Sequence, residues 1–253
     1  DRNGNWDDTV SAIPAALITP WLDHGPGGGP SLMEQAFRFA CRFWAQFGAP
    51  VWRGVGADLL AQSNDERRQF KKVSENSDGY RLTEKGLFIS QTGWVDGSAA
   101  LHHLAEGVDV RFGVNDTGIP TEDHAVIMGG GAGLPALLPN ADFPIKLIAG
   151  QIADVQLPAH GFDGPRKADH YLIPVGPDRL IIGASFRDPD VQVPNEADRD
   201  ILLSSFGLRS PDAVSDWTGT RAALPDRMPL MGPVPDFSQW RTEFAPIKHG
   251  PTA

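Results

Sequence analysis

The chain has 253 residues, 41% of them hydrophobic and 21% charged, which suffices for one large core or two small ones and excludes a low-complexity or disordered chain. A formal net charge of −10 argues against an extended nucleic-acid surface, since phosphate binding needs clustered Lys and Arg. Cys41 is the only cysteine, so an internal disulfide and an all-cysteine metal site are excluded; no apolar run approaches the ~18 residues of a membrane span, and a cytoplasmic protein is expected.

Val10–Asp23 reads as a turn leading into a short strand. His24-Gly-Pro-Gly-Gly-Gly-Pro30 lacks the Gly-Lys-Ser/Thr ending of a phosphate loop and reads as a surface loop. Ser31 and Glu34 form a capping box ahead of a helix over 31–47. Its apolar positions Met33, Phe37, Ala40, Trp44 and Phe47 recur at helical spacing, and Gly48 and Pro50 stop it. Cys41 falls beside that face as an inert core thiol. Residues 51–62 predict a strand with a glycine kink. Ser63 and Glu66 form a second capping box opening a helix over 64–75. The basic residues Arg67, Arg68, Lys71 and Lys72 read as its solvated face.

A turn at Gly93-Trp-Val feeds a helix over about Asp96–Glu106. Adjacent His102 and His103 point in different directions on it, so no metal site is expected. Residues 107–112 predict a short alternating strand, and 124–133 a buried strand ending in glycines. Residues 170–186 read as a hairpin around Gly176-Pro-Asp178. Asn195 caps a helix over 195–206, ended by Gly207.

The stretch Trp217–Asp236 reads as a buried strand running into a tight loop, with Pro225, Pro229, Pro233 and Pro235 fixing the backbone and Gly232 allowing close approach. Arg221 stands inside it and keeps its charge at any ordinary pH. Two readings are open: an ion pair with one of the chain's carboxylates, or a fork that grips a substrate carboxylate. The fold class is α+β. A mainly antiparallel sheet from 51–62, 146–157, 170–186 and 216–224 is covered by helices 31–47, 64–75 and 195–206.

Trp217-x-Gly-x-Arg-x-Ala-x-Pro-Asp-x-x-Pro-Leu-x-Gly-Pro-x-Pro resembles the late segment of FAD-dependent oxidoreductases of the D-amino-acid-oxidase and glycine-oxidase class. Within that class it is similar to the oxidoreductase half of the bifunctional enzymes of tRNA 5-methylaminomethyl-2-thiouridine biosynthesis. Further matches stand in the family's order. They are Ser11 with Pro14-Ala15-Ala16, Gly93-Trp94-Val95, Gly131 at the end of the glycine run, Gly150-Gln151, and Tyr171-Leu-x-Pro with Gly183-Ala-Ser. Departures are Ala12 and Ile13 for Gly and Asn, Gly97 for Pro, Gly129 for Ala and Ala149 for Arg.

The resemblance implies a partial FAD-binding domain from 10–22, 84–138 and 225–253 and a substrate domain from 23–83 and 139–224. It implies FAD contacts at Ser11, Pro14, Ala15, Gly129, Gly131, Gly150, Gln151, Pro229 and Gly232. Arg221 would hold a substrate carboxylate and Tyr171 would offer a substrate-facing hydroxyl; a core Tyr with a satisfied hydroxyl is the plainer reading of the latter. The implied reaction oxidises a C–N bond of a small N-substituted glycine group, carried on tRNA in the tRNA-modifying members, or of a free amino acid. No Gly-x-Gly-x-x-Gly follows a strand pattern, so the resemblance implies a fragment of a longer protein. That protein would be a monomer with a fused methyltransferase domain. A cofactor-free binding or scaffold remnant is the reading from another class.

Overall fold

The structure is a computed structural model describing residues 9–20, 22, 32–112, 131–134, 145–157, 161–188, 193–209, 214–225, 232 and 236–244. The chain divides into two compact units. The first comprises Asp1–Val114, Gln151–Ser185 and Val193–Thr218, the second Asn115–Gly150, Phe186–Gln192 and Gly219–Ala253.

In chain order the strands are β1 (Ala16–Ile18), β2 (Trp52–Arg53), β3 (Ala57–Leu60), β4 (Tyr80–Leu82), β5 (Gly86–Ile89), β6 (Gly93–Val95), β7 (Lys146–Gln156), β8 (Arg166–Lys167), β9 (Tyr171–Gly176), β10 (Arg179–Gly183) and β11 (Val214–Ala223). The helices are α1 (Leu32–Ala45), α2 (Asn64–Asn76), α3 (Gly97–Leu104), α4 (Glu196–Ser204) and α5 (Phe237–Phe244). One sheet has the order β1-β6-β2 and the other β11-β7-β10-β9-β8-β3-β5-β4. The pairs β7–β10, β10–β9, β9–β8, β3–β5 and β5–β4 are antiparallel, and β3–β8 is parallel. The architecture is therefore the mixed α and β, mainly antiparallel one that the patterning predicts.

Residues 51–62 do not form one strand. Val51 is buried, Trp52–Arg53 joins the small sheet, and after Gly54 and Gly56 the chain enters the large sheet as β3. Gly56 has φ 76°, and a Cβ there would meet the Phe88 ring, so only glycine makes this change of sheet. Residues 107–112 are not a strand either. Gly107 leaves α3 with φ 77°, and the exposed Arg111 folds back onto Asp109 at 3.0 Å. The alternation there spans too few residues to recruit a partner strand.

The helices follow their caps. Ser63 Oγ accepts the Glu66 amide at 3.1 Å, while Glu66 reaches the Gln62 amide at 2.7 Å rather than that of Ser63. Ser31, the glycine loop 24–30 and residues 124–130 lie outside the described residues. Beneath α1 and α2 lies a core of Phe37, Cys41, Phe70, Val73, Leu87 and Ile89. Burial pushes the Cys41 thiol up to about 11, so it stays protonated and inert. Arg67 donates to the Thr83 and Glu84 carbonyls, Arg68 pairs with Asp65, and Lys71 and Lys72 are exposed, a solvated face. Among the described residues no helix is long and apolar enough to cross a membrane.

Period-two alternation gives the large sheet two different faces. Leu172, Leu180, Ile182, Ala153 and Val155 pack against Leu202 and Leu203 of α4. Ile152, Ile173 and Ile181 point the other way and pack against Ala15 and Trp94.

Candidate active site

Four of the motif-bearing stretches meet on that second face of the first unit. Ala15 and Trp94 are joined there by the partly buried Ile13, Leu17, Tyr171 and Trp217. The meeting follows from local pairing. β1 and β6 are antiparallel, with Leu17 opposite Trp94, and Asp96 then caps α3 by accepting the Ala99 amide at 2.9 Å. Gly97 donates its amide to Ile13 O at 2.9 Å, and a Cβ at Gly97 would run into the Ser11 and Ile13 carbonyls. A proline, which the family motif carries there, has no amide to give. The departure at Gly97 is therefore what lets the backbone of 11–13 seat on the start of α3.

Under this segment the sheet presents one transverse row, Leu59, Lys167, Tyr171, Gly183 and Ile152, aligned across β3, β8, β9, β10 and β7. Gly183 leaves the row open. A Cβ there would touch Ile152 and come within 2.8 Å of the Tyr171 hydroxyl, so the Tyr171 ring lies across the glycine. The absent side chain thus sets where the phenol sits.

Gln151, expected at a cofactor contact, points to the opposite face, because it alternates with Ile152. It is fully buried. Its amide nitrogen donates to Asn195 O at 3.1 Å and to Asp216 Oδ1 at 2.9 Å, and its oxygen accepts the Asn195 amide at 2.8 Å. Asp216 also accepts from Arg199 Nε at 3.0 Å, and this carboxylate raises the Arg199 pKa further. The buried ion pair that residue types allowed for Arg221 is thus made by Arg199. Ser11 is exposed, Pro14 half-buried and Ala15 fully buried.

The second unit holds Arg221, Gly131, Gly150 and Gly232. Arg221 is exposed on a half-buried strand, not enclosed in an apolar one. Its guanidinium lies over the Phe186 ring, 4.7 Å from the centroid, and Phe186 is itself 62% exposed. Among the described residues no carboxylate forms an ion pair with Arg221. Gly131 begins a turn of 3-10 helix with φ 50°, a conformation suited to glycine. Gly129 and Pro229 lie outside the described residues. Among the described residues no cluster of His, Cys, Asp and Glu could hold a metal.

The family model described as "FAD dependent oxidoreductase" (DAO) matches residues 8–245. The chain belongs to this DAO family. Among curated relatives it is similar to the tRNA 5-methylaminomethyl-2-thiouridine biosynthesis bifunctional protein MnmC of Leptospira interrogans serogroup Icterohaemorrhagiae serovar copenhageni (strain Fiocruz L1-130), at 24% identity over 94% of this chain and 45% of that one. The protein of the same name from Legionella pneumophila (strain Corby) is 23% identical over 70% of this chain and 30% of its own length. The chain thus spans less than half the length of these relatives. Among solved structures, glycine oxidase from Geobacillus kaustophilus superposes with TM-score 0.69 at 18% identity, over 93% of this chain and 78% of that one. Iminodiacetate oxidase from Chelativorans sp. BNC1 superposes with TM-score 0.66 at 19% identity, over 93% and 79%. These likenesses show a DAO fold.

FAD is the cofactor of the family, and the described residues fit one end of it. Around Ala15 and Trp94 the chain offers an apolar wall with Ser11 and Pro14 accessible, which suits a flat ring. A pyrophosphate asks instead for free amides at a helix start. Four described helices have their first amides taken by their own caps, namely Ser63, Asp96, Asn195 and Asp236. No other described helix start shows its cap. Among the described residues there is an apolar wall of the kind a flat ring needs, and no helix start is shown with free amides for a pyrophosphate.

The sequence reading missed Lys167, which stands opposite Tyr171 on the same face. A two-residue strand has no periodicity to reveal it.

Proposed function

We propose that this DAO-family chain forms the substrate side of an oxidoreductase acting on the C–N bond of an N-substituted glycine, carried on the wobble uridine of tRNA, with a methyltransferase half in the whole protein. The observation that carries this reading is the convergence of Ala15, Trp94, Tyr171 and Trp217 on one apolar cluster, since those residues come from four separate family motifs. A bound flavin would supply the two-electron oxidising capacity for the C–N bond. The chain's own residues bind and orient. Arg221, charged and held flat by Phe186, takes the glycine carboxylate through its fork. Tyr171, fixed over Gly183, offers its hydroxyl to the substrate from the face of the first unit. Ile152, Ile173 and Trp94 keep water from the reacting carbon.

A free amino acid is the second substrate reading, and the net charge of −10 favours it over a polyanion. Turnover by the full-length flavoprotein separates the two. We expect tRNA bearing carboxymethylaminomethyl-uridine to reduce the flavin faster than free glycine or sarcosine at equal concentration. The reverse order would move the assignment to a free amino-acid oxidase. A purified full-length protein with no flavin absorbance would return the chain to a cofactor-free binding domain.

A further inference from the structure

The first unit carries a lysine on the Tyr171 face that the proposed function does not use. Lys167 ends β8 directly opposite Tyr171, so both side chains rise from the same face of the sheet. Its ammonium donates to the Thr19 hydroxyl at 3.0 Å, just beyond β1. The residue is half-buried, and desolvation lowers its pKa from the ordinary lysine value. Elsewhere in this unit Arg67 and Arg166 donate to backbone carbonyls, while Arg38 pairs with Glu34, Arg179 with Asp154 and Arg199 with Asp216. Lys167 has no carboxylate partner among the described residues. Scarcity of acids is not the reason, since the chain has 32 Asp and Glu against 22 Lys and Arg. A desolvated ammonium facing only a neutral hydroxyl is an unfavourable resting arrangement. An incoming anion turns it into a charge-assisted pair.

We propose that Lys167, together with the Tyr171 hydroxyl, receives a second oxyanion of the substrate, borne on the N-substituent and distinct from the glycine carboxylate assigned to Arg221. This rests on the reading of the Tyr171 face as the substrate side. The substrate class is thereby narrowed to N-substituted glycines whose substituent carries a carboxylate or a phosphate. Lys167 acts here through binding and takes no part in the bond-breaking step.

The test uses the full-length flavoprotein and matched pairs of substrates. One pair is an N-(carboxyalkyl)glycine and its terminal carboxamide. The other is the carboxymethylaminomethyl-uridine nucleoside and its 5′-monophosphate. Wild type is expected to favour the charged member of at least one pair by about tenfold or more in kcat/KM, chiefly through KM, the scale of one charge-assisted hydrogen bond. Preference within the first pair identifies a carboxylate and within the second a phosphate. Lys167→Met should abolish the preference by raising KM for the charged member alone. Lys167→Arg should retain it, and Thr19→Val, which removes only the neutral partner, should leave it unchanged. If Lys167→Met misfolds, Lys167→Gln serves with the same readout. A wild type that oxidises N-substituted glycines with no preference in either pair, or a preference that survives Lys167→Met, overturns the assignment and leaves the proposed function standing. A wild type inert toward all four compounds overturns both.

Discussion

The two faces of the large sheet are built from the same strands and treat charge in opposite ways. On the α4 face, Gln151, Arg199 and Asp216 interlock, with the carboxylate of Asp216 shared between an amide and a guanidinium. On the other face Lys167 sits beside Tyr171 and, among the described residues, has the Thr19 hydroxyl as its hydrogen-bond partner. Completed polar groups lock strands together, whereas a cation left without its counter-charge is arranged for something that arrives later. The comparison teaches that the two residues of the Gly150-Gln151 match differ in kind: the side chain of Gln151 belongs to the locking face.

The strongest way to break this contrast is Asp216→Ala. It strips Arg199 and Gln151 of their shared acceptor, and removing one partner of a buried pair costs about 3–5 kcal/mol. Because 26% of the Arg199 side chain remains exposed, the lower end is expected. Urea unfolding reads it, and a loss below about 1 kcal/mol, the value of an exposed pair, would mean that this face does not lock the fold. Next comes Arg221→Lys in the full-length protein, which keeps the charge but loses the fork and the flat stack on Phe186. A loss of about 2–4 kcal/mol in transition-state stabilisation, with an unchanged melting temperature, is expected from kcat/KM. Full activity in this variant would remove the carboxylate role.

Gly183→Ala sharpens the comparison at smaller scale. The new methyl must push aside Ile152 or the Tyr171 ring. Overpacking of this kind costs about 1–3 kcal/mol. Turnover should fall by more than stability does, because the displaced group is the phenol of the site. Equal losses in both would make Tyr171 a core residue.

The smallest effect is a pH dependence. The folded-state pKa of Lys167 lies below the ordinary 10.5, so the folded protein releases this proton before the unfolded chain does. The contribution is fully present above 10.5 and is lost as pH falls through the lowered folded value. Wild type should therefore gain stability relative to Lys167→Met as pH rises toward 10.5, measured by unfolding at several alkaline pH values. A flat difference would mean that the ammonium is well solvated.

Much of the framework was legible in the residues. The spacing of Phe37, Cys41 and Trp44 with Gly48 behind them defined α1, Ser63 and Asn195 marked helix starts, and Gly176-Pro-Asp178 marked the hairpin. These are local signals, set by neighbours a few residues away. What stayed illegible depends on register between distant strands. Nothing near Gln151 says which face it takes, and nothing near Lys167 says that it opposes Tyr171. The passage from β2 to β3 looked like one kinked strand because both halves are extended and apolar, and only their partners differ. Arg221 and Arg199 were indistinguishable by type, and the carboxylate that chose between them, Asp216, lies 17 residues from Arg199 in sequence.

The parallel contact of β3 with β8 has a mechanical consequence. It registers just Asp58 with Arg166 and Leu59 with Lys167, extended by the Asp58 amide to Pro165 O at 3.0 Å. On one side of this seam β3, β4 and β5 come from residues 57–89, and on the other β7 to β10 come from 146–183. Each side closes over short sequence distances and has its own core cluster. Loop closure favours assembling each block first and joining them last, across the widest gap in the chain. Native-state hydrogen exchange should then show two cooperative blocks with the Asp58 amide opening ahead of both, so that Lys167, which sits on the seam, is held by the joint that yields first.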